Sequence, residues 1–353
     1  MADMNDVLHL TADEARAFAS DVFAAHGVPR RDADTTARCL VRADLRGVET
    51  HGIVRMPGYL DRIERGLVDP APELAPRRVA PAVAHLDGMN GLGFVVATRA
   101  TEEAMAIARE AGTGLVGVSR STHFGMAATY LLQAVEAGFA ALVFTNASPA
   151  MPPWGGRREM LGTSPFGAAF PNPGGQPFIL DMAPSVAARG KIRKALREGR
   201  EIPEGYALDA DGRPTTDPEK ALQGVVLPIG GAKGAGLSML MDLLCGVLTG
   251  AAFAGHVGDQ YKAFDRPQNV GHFILVIRPD LFLPAGGVAE RMAELVATVR
   301  ANPTAEGFDE ILMPGEPESR TETRRLSEGI PYRRADLEPV IERARGKGVT
   351  FPG

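Results

Sequence analysis

Cysteine is scarce in these 353 residues: Cys39 and Cys245 are the only two, far apart and each inside an apolar helical pattern. So thin a set excludes a disulfide framework and suits reduced thiols in a cytosol. Membrane-length apolar runs are missing too. The N-terminus MADMNDVLHL carries acids and no long apolar run, so it does not read as a secretory signal. The most apolar stretch, Leu237 to Ala254, is interrupted by Asp242 and rich in Gly and Ala; a buried helix is expected there, not a span. There is no basic stripe either. With 38 Lys and Arg against 43 Asp and Glu, the net charge is −5 and the signs are interspersed, which argues against nucleic acid as a partner. A soluble cytoplasmic protein, with no membrane partner, is expected.

The familiar chemical signatures are also absent. Gly91-Leu-Gly93 lacks the third glycine of a dinucleotide fingerprint at the required spacing. Gly230-Gly-Ala-Lys-Gly-Ala-Gly236 is no P-loop, since Lys233 precedes the final glycine and no Ser or Thr follows it. His9, His26, His85, His256 and His272 show no metal-ligand spacing, so no metal is expected. Hydrolase nucleophile motifs are missing.

What is present fits an ordinary globular enzyme: 45% hydrophobic and 23% charged residues, in a chain long enough for two lobes. Thr11-Ala-Asp-Glu14 is a capping box opening a helix to about Ala25, ended by Gly27. Pro29 opens a second helix through Leu45, stopped by Gly47, and a third helical segment within His51 to Arg65 ends at Gly66. Pro70 to Pro81 reads as a connector. Strand and helix then alternate: strands at Val83–Leu86, Gly114–Val118, Ala140–Phe144, near Phe178–Leu180 and at Phe273–Ile277; helices at Phe94–Glu110, Met126–Ala137 and Val288–Val299. That alternation predicts an α/β fold, a sheet covered by helices. The polar, Arg- and Pro-rich Met313–Gly353 is expected to wrap the surface.

In α/β sheets, ligands bind beyond the carboxyl ends of strands. Three such ends carry small or polar residues: Ser119 to Gly125, Thr145-Asn146 and Asp181-Met182-Ala183. Taken singly, each residue reads first as a plain helix cap. The Gly230–Gly236 loop combines glycines, Lys233 and a helix start, which suits an anion, although a glycine-rich turn with a solvated lysine reads the same way. In Glu49 to Tyr59, the residues His51, Arg55 and Tyr59 recur at helical spacing and would share one face, with Pro57 liable to move the helix start. An arginine fork suits a substrate carboxylate, and a histidine suits proton transfer to a developing alkoxide. A surface arginine paired with Glu49 is the bland alternative. His123, in a strand-to-helix turn, could donate the proton or line a nicotinamide pocket.

Taken together, Arg42 to Arg55, Ser121-Thr-His-Phe-Gly125, Thr145 to Pro149 with Pro153-Trp-Gly-Gly156, Leu161-Gly-Thr-Ser-Pro165, Asp181 to Ser185 with Ala188-Arg-Gly-Lys191, Gly205 to Asp209 and the Gly230 loop resemble the type 2 malate/L-lactate dehydrogenase family. The resemblance implies a non-Rossmann, NAD(P)-binding mixed sheet covered by helices, plus a helical lobe built from both chain ends. Residues 1–75 would form that lobe with 300–353, and residues 76–299 the NAD(P)-binding domain. It implies a homodimer, NAD or NADP as cofactor, and a small carboxylate substrate, a 2-hydroxy acid interconverted with its 2-oxo acid. By the same likeness His51 is the proton donor, polarised by Thr50, with His123 taking that role in some relatives. Arg55 binds the substrate carboxylate, and Thr163, Arg189 and Gly190 face the substrate, as does Tyr59 on the face of His51 and Arg55. His123, Phe124, Gly125, Met126 and Ala127, then Asn146, Asp181, Met182, Ala183, Lys233, Pro314, Gly315 and Glu316 would contact the cofactor. Thr50 stands where Ser is commoner, and keeps the hydroxyl. Two other enzymatic readings stay open: a reductase of a carboxylated cyclic imine using the same site, and a lyase forming a Schiff base on Lys233.

Overall fold

A computed structural model describes residues 7–284 and 286–353. Its centre is a seven-stranded mixed sheet ordered Arg77–Ala80, Val83–Asp87, Thr113–Ser121, Val270–Ile277, Ala140–Thr145, Phe166–Phe170, Phe178–Met182. The pairing of Val83–Asp87 with Thr113–Ser121 is parallel; the other neighbours run antiparallel. Val270–Ile277 is almost wholly apolar, as a strand in the middle of a sheet covered on both faces must be. One face lies under the helices Gly93–Ala111 and Ala128–Glu136, whose Phe94, Val96, Ala100, Ile107, Tyr130 and Leu131 are buried. The approach is close: a Cβ on Gly114 would stand 2.0 Å from the Ala104 carbonyl oxygen. Across the sheet lies the helical turn Asp242–Val247, whose Cys245 carbonyl oxygen would meet a Cβ on Gly271 at 1.6 Å.

A second core joins the two chain ends. Strand Val7–Leu10 pairs antiparallel with Ile330–Arg333. Helices Ala12–Ala25, Arg30–Leu45 and Met56–Glu64 bury Phe18, Phe23, Leu40 and Leu60 with Ile330, Leu337, Val340 and Ile341. The capping box at Thr11 forms in full, and Gly27, Gly47 and Gly66 follow the three helices in left-handed backbone (φ +88°, +78° and +68°), which a side chain would strain. A third, smaller core of Ile192, Ile202, Ala207, Ala221 and Val226 lies under a three-stranded sheet, a unit that periodicity did not announce.

Two expectations are corrected here. Leu237 to Ala254 is not a buried helix. It runs as helix Ala232–Met241 into a π turn at Asp242–Val247, with Met239, Leu240, Leu243, Val247 and Leu248 exposed. The residues pressed inward are mostly small, Gly234, Ala235, Ser238, Cys245 and Gly246, with Met241 and Asp242, and most of the bulky ones face out. Nor does Met313–Gly353 merely wrap the surface. It supplies helix Glu316–Glu328, the strand paired to the N-terminus, and helix Arg334–Gly346, whose Leu337, Val340 and Ala344 are fully buried. Arginines on the outer faces had hidden that apolar stripe. Among the described residues, no helix is long and apolar enough to cross a membrane.

Candidate active site

The segment after helix Arg30–Leu45 does not continue as one helix. Two 3-10 turns, Glu49–His51 and Ile53–Arg55, are joined at the extended Gly52, and helix Met56–Glu64 starts beside Pro57. Proline moves the helix start as anticipated, because its nitrogen cannot donate and its φ suits the first turn. The bend still leaves His51, Arg55 and Tyr59 on one side, where all three reach His123. Arg55 Nη1 lies 3.2 Å from His123 Nε2, and the Tyr59 hydroxyl lies 2.8 Å from His123 Nδ1. The rings of His51 and His123 stack with centroids 5.6 Å apart, and the Thr50 hydroxyl is 3.0 Å from His51 Nδ1.

The electrostatics follow from this crowding. Burial, and then the positive charge of Arg55, push His51 down to about 3. The same two causes hold His123 well below the usual histidine range. Burial raises the Tyr59 phenol, which stays protonated. Arg55 is half-buried over the Tyr261 ring, and no described carboxylate lies within ion-pair distance of it. Glu49, the partner that the bland alternative gave it, pairs instead with Arg325. A half-buried guanidinium among neutral imidazoles lacks an anion.

The segments expected at a cofactor also converge. Asp181 accepts a hydrogen bond from Ala128 N at 2.7 Å, capping helix Ala128–Glu136 from a neighbouring strand, and burial, with the nearby charge of Glu318, raises its carboxyl to about 6. Ile179 N donates to Pro314 O at 3.0 Å, and a Cβ on Gly315 would meet Ile179 at 2.8 Å. Ile229 N donates to Pro184 O, which brings the Gly230 loop alongside Asp181, Met182 and Ala183. Gly230 and Gly231 turn left-handed, and the helix they open has no side-chain cap and an exposed Lys233 in its first turn. Glu316 accepts from Met313 N and pairs with Arg300. His123, Phe124, Gly125, Met126 and Ala127 link this rim to the histidine cluster. Gly125 is left-handed (φ +79°), and the Phe94 ring fills the place of its Cβ.

Other expected residues sit apart. The Asn146 amide is fully engaged, donating to Ala252 O at 2.6 Å and accepting from Gly271 N at 2.9 Å. Arg189 turns to Glu159 at 2.7 Å and to Gly224 O, and a Cβ on Gly190 would meet open space. Thr163, half-buried, precedes Ser164, whose buried hydroxyl has no described partner. No hydrogen bond joins these four to His123. Sequence reasoning overlooked the segment that closes the cluster. Gln268 Oε1 accepts from His123 N at 3.3 Å, and the buried Arg62 pins the same segment through the carbonyls of Gln260, Ala263 and Arg266. Nothing periodic marks that loop, and its ring contacts, Arg55 over Tyr261 and Arg65 over Phe264, join residues far apart in sequence.

A sheet of this build, with a histidine–arginine cluster beside a glycine-lined rim, defines an α/β enzyme of the dehydrogenase type. The family model described as malate/L-lactate dehydrogenase matches residues 10–340. L-sulfolactate dehydrogenase of Methanocaldococcus jannaschii is 40% identical over 308 residues, 86% of this chain and 88% of that protein. The solved sulfolactate dehydrogenase structure from the same organism superposes with a TM-score of 0.92 at 36% identity, covering 98% of each chain. (2R)-3-sulfolactate dehydrogenase (NADP(+)) of Chromohalobacter salexigens is 41% identical over 273 residues, 76% of this chain and 80% of that protein. Ureidoglycolate dehydrogenase (NAD(+)) of Escherichia coli K12 is 34% identical over 304 residues, 86% of each. The chain belongs to the malate/L-lactate dehydrogenase family.

Proposed function

We propose that this chain is an NAD(P)-dependent dehydrogenase interconverting a small 2-hydroxy acid and its 2-oxo acid. The observation that carries the reading is the half-buried Arg55, without a described carboxylate partner, touching His123 beside His51. Arg55 clamps the substrate carboxylate through two parallel N–H donors, with Tyr59 beside it. His51, steadied at Nδ1 by Thr50, takes the hydroxyl proton on oxidation and returns it on reduction. His123, held by Tyr59 and Gln268, orients Arg55 and lines the pocket. By the resemblance to the family, Thr163, Arg189 and Gly190 would border the substrate.

A nicotinamide dinucleotide, NAD or NADP, fits the rim: left-handed glycines, an uncapped helix start and an exposed lysine are what a pyrophosphate needs. The group supplies or accepts a hydride when bound. His123 to Ala127, Asp181 to Ala183, Lys233 and Pro314 to Glu316 would hold it. Lys233 is exposed, with none of the enclosure a Schiff-base lyase gives its lysine. The described residues of 1–75 with 300–353 would make one lobe, and those of 76–299 the cofactor domain. The exposed ridge of Met239, Leu240, Leu243, Val247 and Leu248 supports a homodimer that covers it, and two buried free thiols suit the cytoplasm.

The deciding assay offers NADH and NADPH with pyruvate, oxaloacetate, sulfopyruvate and piperideine-2-carboxylate. Consumption of reduced cofactor with a 2-oxo acid is the expected result. Turnover of the cyclic imine alone would move the assignment to an imine reductase, and cofactor binding with no turnover would overturn it.

A further inference from the structure

We propose that Asp44 is the positioning residue of the acid/base loop, setting His51 and Arg55 at their working separation through the Gly52–Ile53 backbone between them. Asp44 ends the core stripe of helix Arg30–Leu45 and is completely buried. Its Oδ2 accepts two hydrogen bonds, from Ile53 N at 3.0 Å and from the Tyr332 hydroxyl at 2.8 Å. Its Oδ1 has no described partner and stands 1.6 Å from where a Cβ on Gly52 would lie. The carboxylate therefore occupies the space that any other residue at position 52 would claim. One residue upstream of Gly52 is His51; two downstream of Ile53 is Arg55.

The grip extends to the start of the loop. Arg325 of helix Glu316–Glu328 donates to the Asp44 carbonyl oxygen and pairs with Glu49, the first residue of the first 3-10 turn. The loop is thus held at Glu49, Gly52 and Ile53, by groups from helix Arg30–Leu45 and from the C-terminal segment. Burying a carboxylate is costly, and a core that needed only packing would be served better by an apolar side chain. What the carboxylate adds is direction: it accepts from the Ile53 amide and is itself fixed by the Tyr332 hydroxyl, anchoring a loop whose own bonds are single 3-10 turns, His51 N to Val48 O, Gly52 N to Glu49 O and Arg55 N to Gly52 O. Since 3-10 turns are short and weakly bonded, such an anchor decides where their side chains point.

The inference rests on the roles proposed for His51 and Arg55. It is tested with Asp44→Ala, Asp44→Asn and Tyr332→Phe in the full chain. Measured are kcat and KM for the 2-hydroxy acid, reduced-cofactor affinity by fluorescence, and hydrogen exchange at the Ile53 amide. Asp44→Ala should lower kcat about 10²-fold, the cost of a roughly 1 Å misplacement of reacting groups. Tyr332→Phe, which removes one hydrogen bond, should lower it about fivefold. Asp44→Asn, whose one carbonyl oxygen can accept both bonds at the Oδ2 position, should lose least. Cofactor affinity should stay within about twofold of wild type, and Ile53 exchange should quicken in step with the loss of kcat. Wild-type kcat and a protected Ile53 amide in Tyr332→Phe and in a folded Asp44→Ala would overturn the proposal, and Tyr332→Phe decides it if Asp44→Ala fails to fold. Wild-type protein inactive on every 2-hydroxy acid would defeat the functional reading instead; Ile53 exchange would still judge the anchor.

Discussion

Two histidines flank Phe124 and differ in every respect that matters to chemistry. His272 lies at the centre of the sheet, fully buried, stacked on the Phe124 ring at 4.7 Å. Its two nitrogens are spent on the hydroxyls of Ser121, at 2.7 Å, and Thr145, at 2.8 Å, which ties three adjacent strands together. His123, one residue before Phe124, is half-buried, and its partners are a phenol, a guanidinium and a second imidazole. Both have their protonation pushed down by burial. A depressed histidine is therefore not by itself a mark of catalysis. What separates the two is an open side and a neighbouring cation with no anion to answer it.

The largest effect should fall on the open cluster. His51→Ala is expected to lower kcat by about 10²–10⁴-fold, the range for loss of a general acid–base, with the folded state intact. His123→Ala should cost less, since it removes the group that orients Arg55 and not the proton carrier. Steady-state kinetics of the two variants with one 2-hydroxy acid measure the difference. If His51→Ala keeps wild-type turnover while His123→Ala abolishes it, the proton passes through His123.

The buried seam should respond in the opposite way. His272→Ala removes a core ring and two hydrogen bonds, and should cost about 2–4 kcal/mol of stability. Activity per folded molecule should change only a few-fold. Urea unfolding alongside kinetics separates the two; a hundredfold fall in kcat at unchanged stability would erase the contrast. The sign with pH is fixed as well. His272 is held near 3 in the folded protein against 6.5 for the free side chain, so its contribution is complete above pH 6.5. It is lost as pH falls toward about 3, and the alanine variant should show a shallower loss over that window.

How much of this was legible before the fold was known depends on whether the signal was local. The first two helices were readable because Thr11, Glu14, Gly27 and Gly47 make their caps and stops within a few residues. His51, Arg55 and Tyr59 were readable as a set from their spacing, although the backbone beneath them bends at Gly52. Their meeting with His123 was not, because 64 residues separate Tyr59 from it and only the sheet brings them together. Asp44 carried no signal either: its partners are a backbone amide and Tyr332, 288 residues away. The ridge at Leu240–Leu248 misled because composition says that a segment is apolar, not which side of it is covered.

The smallest effect is also the one that tests the electrostatics of the cluster most directly. With His51 pushed down to about 3, the free enzyme holds a neutral base throughout the neutral range. The kcat/KM profile for oxidation, which reports the free enzyme, should then show no acid limb from His51 above about pH 5. Reduction is different, because the proton must already sit on His51 when substrate is bound. A carboxylate clamped on Arg55 cancels the charge that depresses His51, so the histidine in the complex should titrate higher, and kcat for reduction should fall as pH rises through that value. An acid limb in the oxidative kcat/KM near the unperturbed histidine range would mean that neither burial nor Arg55 acts on the base. Asp181, whose carboxyl is raised to about 6, would give a limb in the same range, and Asp181→Asn tells the two apart by removing only its own.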